Sequence, residues 1–230
     1  MLLSSQIIAL AEYVEQGTNL LALLPLAVAV VRWAHLTRPL RLVAVGLGIT
    51  AALVFLAPLS RPYLGVENLL WHVYTIVQTL FFGGLYVLVF RWRWQQRLVQ
   101  LALAGFLAFA LLDWFWLEQG ASLHAYTHSL QGALLVGLGG LYLRQLAHEM
   151  PVTYLGNHSL FLVSSGLVMY FSGTVLLYVF AGHFVATSDL LGQHVVSMLV
   201  SFVNLVQLTL FTLAFHRAPR LLLLSVSAHD

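Results

Sequence analysis

Two histidines, His124 and His128, stand four positions apart in the segment HAYTH. On a helix this spacing puts both imidazoles on one face, where they can bind zinc or copper. With His72 or His194 as a third ligand and an acid such as Glu118 or Asp113 nearby, one interpretation is a metal site with zinc as the candidate cofactor. In the other interpretation the histidines form hydrogen bonds within a helix bundle and bind no metal.

Other polar residues recur at helical spacing inside apolar segments, so that each set lies on one face of its helix. The residues that we assign to a ligand-binding site are Glu12, Glu15, Asn19, His72, Thr75, Gln78, Asp113, Glu118, His194 and Asn204. At about 1.5 Å rise per residue, His72, His128, His194 and Asp113 lie within roughly the outer 15 Å of a bilayer's hydrocarbon region. Polar side chains in a membrane must face protein or water, so these predict one cavity above an apolar layer, with Gln78 near its floor. The alternative is a scatter of unconnected hydrogen bonds, with Glu12 and Glu15 in a solvated first turn.

The composition predicts that a lipid bilayer surrounds the elements that carry these residues. Of the 230 residues, 60% are hydrophobic and 8% are charged, against roughly 25% charged in a soluble domain. We therefore expect an all-α integral membrane protein, a seven-transmembrane helix bundle with residues 1–230 in a single domain. The first segment lacks a basic leader region and is interpreted as a span, in which Pro25 predicts a kink. The apolar segments, each long enough to cross a bilayer, lie near residues 6–31, 40–59, 67–90, 98–117, 123–146, 158–182 and 190–215.

Arginines mark alternate loops between these segments. Nine of the ten basic residues share one parity of loop, and Arg61 is the exception. Because cytoplasmic loops carry the excess of positive charge, this pattern predicts an N-terminus outside and a C-terminus in the cytoplasm. The polar cavity would then face outward. The nine are Arg32, Arg38, Arg41, Arg91, Arg93, Arg97, Arg144, Arg217 and Arg220.

Some functions are excluded by residues that the chain lacks. All ten basic residues are arginines, so covalent retinal, whose Schiff base requires a lysine amine, is excluded. Cysteine is absent as well, which removes disulfides and thiol catalysis. The segment RWRWQQR at 91–97 alternates arginine with Trp92 and Trp94, as an interfacial anchor does. We expect no nucleic-acid partner.

Three segments carry a resemblance to a known group: LLWHVYTIVQTLFF at 69–82, SLFLVSSGLVMYFSGTVLLYVFA at 159–181 and HVVSMLVSFVNLVQLTLFTLAF at 194–215. They resemble small, uncharacterised bacterial seven-span proteins that are often encoded beside sensor histidine kinases. The resemblance implies a multi-pass protein of the plasma (inner) membrane with a sensory role and a sensor histidine kinase as partner. The best-matching residues are His72, Tyr74, Thr75, Gln78, Tyr170, Ser172, Gly173, His194 and Asn204.

Two functions are consistent with these observations. The first is a receptor-like or sensory membrane protein in which an outward polar pocket binds a small ligand or ion. The alternative is a metal-dependent hydrolase similar to the seven-span ceramidases, which use three histidines, an Asp and a Ser around zinc. In that group the paired histidines lie on the last helix, whereas here HAYTH lies on the fifth segment and the last carries His194 alone. The oligomeric state is open.

Overall fold

A computed structural model describes residues 13–14, 16–60, 66–117, 125–149, 158–186 and 190–218. Within these residues the chain forms seven α-helices and no strand. Six of the helices are α2 (Arg38–Leu56), α3 (Val66–Val89), α4 (Arg93–Leu112), α5 (Ala125–Glu149), α6 (Ser159–Ala186) and α7 (Leu190–His216). The first, α1, covers Gln16–Val31, with its regular part at Leu23–Val31. Short 3₁₀ turns at Trp33–His35 and Pro58–Ser60 precede and follow α2.

Two helices depart from regular geometry. Helix α1 is interrupted by a turn at Ala22, three residues before Pro25, whose missing N–H leaves the Leu21 carbonyl without its helical donor. Helix α4 continues into a π-helical turn at Asp113–Leu117. Such turns widen a helix locally and recur at functional sites.

Successive helices pack in opposite directions, and glycines set several of the close approaches. Gly46 of α2 lies against Phe81 of α3, where an added Cβ would come within 2.5 Å of the Phe81 Cβ. Further along the same pair, Leu42 meets Gly84, so the contact moves backwards along one helix as it moves forwards along the other. The same reversal holds for α5 with α6, through Gly132–Val175 and Gly139–Val168, and for α6 with α7, through Gly166–Leu210 and Gly173–Val203.

The helical glycines differ in what surrounds them. Gly83 and Gly139 do mark tight contacts, with Leu103 and Val168 respectively. Within the described part of the chain, Gly137 has no neighbouring atom within 4 Å of an added Cβ, and neither does Gly140. A glycine in a helix therefore does not by itself reveal which face the helix turns to its neighbour.

The antiparallel order gathers the arginines of the described chain at one end of the bundle. Arg38 and Arg93 begin α2 and α4, Arg144 lies in the last part of α5, and Arg217 follows α7. Arg32, after α1, donates from Nη2 to the Ala218 carbonyl at 3.1 Å, which joins the ends of α1 and α7. We call this the arginine-rich end.

The outer surface of the bundle is apolar along the middle of its helices. Leu101 of α4 is 72% exposed and Phe202 of α7 is 64% exposed, which water would disfavour and lipid would not. Five of the described helices are long and apolar enough to cross a membrane, and they indicate a multi-pass membrane protein. Helix α1 is shorter, and α5, which carries Thr127, His128 and Gln131 in its first two turns, is not among the five.

An aromatic layer closes the bundle between its middle and the arginine-rich end. Phe82 and Phe211 meet edge to face with ring centroids 5.8 Å apart, and Tyr86 lies 6.1 Å from Tyr142. All four are buried, with Phe215 beneath Phe211. This layer separates the polar interior described next from the arginine-rich end.

Candidate functional site

A chain of hydrogen bonds between α3 and α5 forms the centre of the polar interior. Gln131 is 2% exposed and donates from Nε2 to Gln78 Oε1 at 2.9 Å and to the Thr75 carbonyl at 3.2 Å. Gln78 in turn donates from Nε2 to the Tyr74 hydroxyl at 3.0 Å. The His128 ring lies 3.4 Å from both Thr75 Oγ1 and Gln131 Oε1. Each of the two side-chain amides therefore both donates and accepts a hydrogen bond, which fixes its orientation.

These partners meet because α3 and α5 run in the same direction. His128 stands opposite Thr75, and Gln131 stands opposite Gln78, so that one step along α3 matches one step along α5. Residues three or four apart share a helix face, so the two faces meet over a full turn. The hydrogen bonds are the reason that this polar surface is tolerated in an apolar bundle.

A small cavity of about 50 Å³ lies on the other side of Gln78, between α1, α2, α3 and α7. Its polar lining consists of Asn19, Thr50, Tyr74, Gln78, Asn204 and Gln207. Thr50 bonds back to its own helix at the Gly46 carbonyl, so the amides and the Tyr74 hydroxyl are the groups that face a guest. In this closed form the space suits one or two waters or a guest of that size.

A second and smaller cavity, of about 10 Å³, lies on the α5 side of Gln78. It is lined by Tyr74, Gln78, His128, Gln131, Tyr170, Phe171 and Thr174. Because Tyr74 and Gln78 line both cavities, they form the wall between them. The polar interior therefore reaches six helices, α1, α2, α3, α5, α6 and α7, with Gln78 at its centre.

The buried carboxylate of Asp113 lies at the π-helical turn of α4. Asp113 is 0% exposed, and its Oδ2 accepts a hydrogen bond from the Thr127 hydroxyl of α5. Among the described residues its Oδ1 has no hydrogen-bond partner. On the neighbouring residue, the Trp114 ring lies 5.1 Å from the buried His72 ring. Asp113 and His72 thus belong to this half of the bundle, beyond the hydrogen-bonded chain.

The structure brings together some of the residues that were assigned to a binding site from the sequence. Asn19, Gln78 and Asn204 line one cavity, and Thr75 joins His128 in the hydrogen-bonded chain. His194 is half-buried near the start of α7 and lines neither cavity. The predicted residues Glu12, Glu15, Glu118 and His124 lie outside the described part of the chain.

The depth of the site differs from the expectation. Gln78 lies at the middle of the 24-residue α3, and Asn204 lies near the middle of α7. The cavities are therefore at the centre of the helices, deeper than the histidine stripes, and Gln78 is a dividing wall as well as a floor. The aromatic layer below it agrees with the expected apolar layer.

Several lining residues were not assigned to the site from the sequence. Gln131 and Gln207 continue the helical stripes of His128 and Asn204, so the spacing already contained that signal. Thr50, Thr127 and Tyr74 carried no comparable signal, because a hydroxyl residue in an apolar helix more often bonds its own backbone.

The metal site stays a prediction. Among the described residues, no three His, Cys, Asp or Glu side chains lie close enough together to hold a metal ion. His128 is the one predicted ligand within the hydrogen-bonded chain, and His72 packs on Trp114. The third, His124, lies outside the described residues.

Comparisons of the chain with protein-family models, with curated proteins and with solved structures found no match. The argument for function therefore rests on the geometry of the polar interior.

Proposed function

We propose that this chain is a receptor-like, sensory membrane protein with seven spans, whose buried polar site binds a small ligand or ion from the outer side. The observation that carries the proposal is the Gln131–Gln78–Tyr74 chain with a cavity on each side of it. Polar groups inside a membrane bundle are costly and mark functional positions. The network borders open volume on both sides, and the larger cavity has room for a guest of one or two waters in size.

The lining favours a guest that exchanges hydrogen bonds. The described groups around the larger cavity are carboxamides and hydroxyls, which both donate and accept. Such a set suits a small uncharged molecule with both kinds of group, or a weakly hydrated ion held by oxygen atoms. A drug-sized ligand, which needs about 300 Å³ or more, would require the helices to separate.

The aromatic layer favours a receptor over a transporter. A transporter exposes its site to both sides in turn, commonly through broken helices at the centre of the membrane. Here Phe82, Tyr86 and Phe211 are buried below the cavities. Because this layer closes the side toward the arginines, ligand entry is from the opposite end.

The proposed orientation and partner complete this picture. With the arginine-rich end in the cytoplasm, the site opens outward and the loops at Arg38, Arg93 and Arg217 face an intracellular partner. The resemblance to proteins encoded beside sensor histidine kinases supports such a kinase as that partner, in the plasma (inner) membrane. This part can be tested separately by reconstituting the protein together with the kinase. The protein should change the autophosphorylation rate of the kinase, and substitutions in the loops should abolish that change.

The absence of cysteine makes a labelling experiment direct. Single variants Asn204→Cys and Phe202→Cys lie two residues apart on α7, one at the cavity and one on the exposed apolar surface. A thiol reacts as the thiolate, which forms in a wet cavity and not in lipid. In spheroplasts, the thiol-reactive ion Ag⁺, which is small enough for this cavity, should modify Asn204→Cys faster than Phe202→Cys. An impermeant methanethiosulfonate should modify Arg217→Cys only in inverted vesicles.

The contrary outcomes are well separated. Equally slow labelling at positions 204 and 202 would contradict a water-accessible site. Labelling of Arg217→Cys from outside would contradict the proposed orientation. Protection of Asn204→Cys by urea or acetamide, used as small amide probes, would support a hydrogen-bonding guest. A chelator that lowers the melting temperature of the native protein, with no effect on His128→Gln, would favour the metal-dependent hydrolase instead.

A further inference from the structure

A groove of about 540 Å³ lies on the side of the bundle near the arginine-rich end, far from the polar interior. It runs between the α3–α4 turn, α4 and α5. Its volume falls within the range of about 300–1,000 Å³ that is typical of ligand sites. It is ten times larger than the central cavity.

The groove is amphipathic along its length. Its apolar wall is formed by Leu98 and Val99 of α4 and by Leu138 and Leu141 of α5. Its rim carries Trp92, Trp94, Arg144, Gln145, His148 and Glu149. Leu98, Leu141 and both tryptophans are exposed. Aromatic and arginine side chains at the end of an apolar wall are the arrangement found at the level of lipid headgroups.

Two features hold the rim in place. Gln96 donates from Nε2 to the Phe90 carbonyl at 2.9 Å, which ties the α3–α4 turn to the start of α4. On α5, Gln145 donates from Nε2 to Glu149 Oε1 at 3.0 Å. The Gln145 Oε1 atom is buried and has no hydrogen-bond partner within the described residues.

The charge around the groove is positive. Residues 90–99 contain three arginines and no acid, and residues 138–149 contain one arginine and one glutamate, which leaves a net charge of +3 with histidine neutral. The one glutamate already accepts from Gln145. Arg144 is the arginine that lines the groove, and it is exposed. An anionic guest is therefore favoured over a neutral one.

We propose that this groove binds one anionic phospholipid, with its acyl chain on the leucine wall and its phosphate at Arg144. The acyl chain covers apolar surface that the helices leave exposed, and Trp92 and Trp94 flank the glycerol region. The site is independent of the polar interior, so neither proposal depends on the other. A lipid at this position links α4 to α5 beside the loops that a partner would contact.

The experiment measures lipid binding to the full chain, purified in a non-ionic detergent, by native mass spectrometry. Phosphatidylglycerol should bind more tightly than phosphatidylcholine with the same acyl chains. Arg144→Gln should weaken phosphatidylglycerol binding by about fivefold, since one arginine at a membrane surface contributes about that factor. Arg38→Gln, an exposed arginine at the same end that does not line the groove, should leave it unchanged.

A second variant tests the apolar wall. Leu141→Trp fills the groove without a change in charge, and it should weaken binding of both lipids while the melting temperature in lipid-free detergent stays within a few degrees. Equal affinity for the two lipids, or equal losses in Arg144→Gln and Arg38→Gln, would overturn the site. Displacement of phosphatidylglycerol by inorganic phosphate at equal concentration would reassign the site to a free anion. No binding of either lipid would overturn the proposal.

Discussion

The hydrogen bond between Gln131 and Gln78 offers the sharpest test of the polar interior. Replacing Gln131 with leucine removes its bonds to Gln78 Oε1 and to the Thr75 carbonyl. The carbonyl keeps another partner, because Thr79 Oγ1 donates to it at 2.7 Å. Within the described residues Gln78 Oε1 has no second hydrogen-bond donor, so the cost of the substitution falls on that atom. Hydrogen bonds between membrane helices contribute about 0.6 kcal/mol on average and about 1.7 kcal/mol at most, so Gln131→Leu should destabilise the fold by about 1–2 kcal/mol.

A double-mutant cycle isolates the shared bond. Gln78→Leu alone loses the bond to Gln131 and the one to the Tyr74 hydroxyl. With both glutamines replaced, neither is left with an unpaired group facing the other, so the double variant should be more stable than the sum of the single effects predicts. The expected coupling is about 0.6–1.7 kcal/mol.

The assay is unfolding in mixed micelles with increasing sodium dodecyl sulfate, followed by far-ultraviolet circular dichroism. Gln145→Leu is the matched control, because it lies on the same helix and its bond to Glu149 is exposed. That variant should cost less than about 0.5 kcal/mol. Strict additivity of Gln78→Leu and Gln131→Leu would refute the direct bond, and with it the argument that these helices meet through a polar chain.

Three further measurements follow from local contacts. Thr127→Val removes the hydrogen bond to the fully buried Asp113 carboxylate and should cost about 1–3 kcal/mol in the same assay; an unchanged midpoint would contradict that contact. Gly132→Ala should destabilise the protein by about 1–3 kcal/mol, because the new methyl group overlaps a neighbouring valine, whereas Gly137→Ala, with open space around it, should be neutral or stabilising. Partial burial lowers the pKa of His158, just before α6, so the folded state favours its neutral form: the stability this provides is present above the usual histidine pKa and is lost as the pH falls through the lowered value. Between pH 8 and pH 5 the melting temperature should therefore fall less steeply for His158→Gln than for the native chain. An equal pH dependence of the melting temperature in the two proteins would show that His158 does not cause it.

The sequence by itself determined the elements and their environment. Apolar segments bounded by polar loops predicted helices near the observed bounds, as for the segment at 67–90 against α3 at Val66–Val89. This worked because a chain in lipid must satisfy its backbone hydrogen bonds within each segment, and that leaves the helix as the simplest solution. Helical spacing likewise selected Asn19, Gln78 and Asn204 as polar residues that must face protein or water.

Only the tertiary structure decided which of these faces meet. Whether Gln78 turns to Gln131 or to Asn204 depends on the rotation of each helix about its axis, and that rotation is set by contacts such as Gly46 with Phe81. In the structure Gln78 borders both neighbours, while His194, on the same helix as Asn204, lies apart from the cavities. The periodicity of one segment describes a face and carries no information on the partner across from it. For that reason the polar residues could be chosen from the sequence, but the site they form could not.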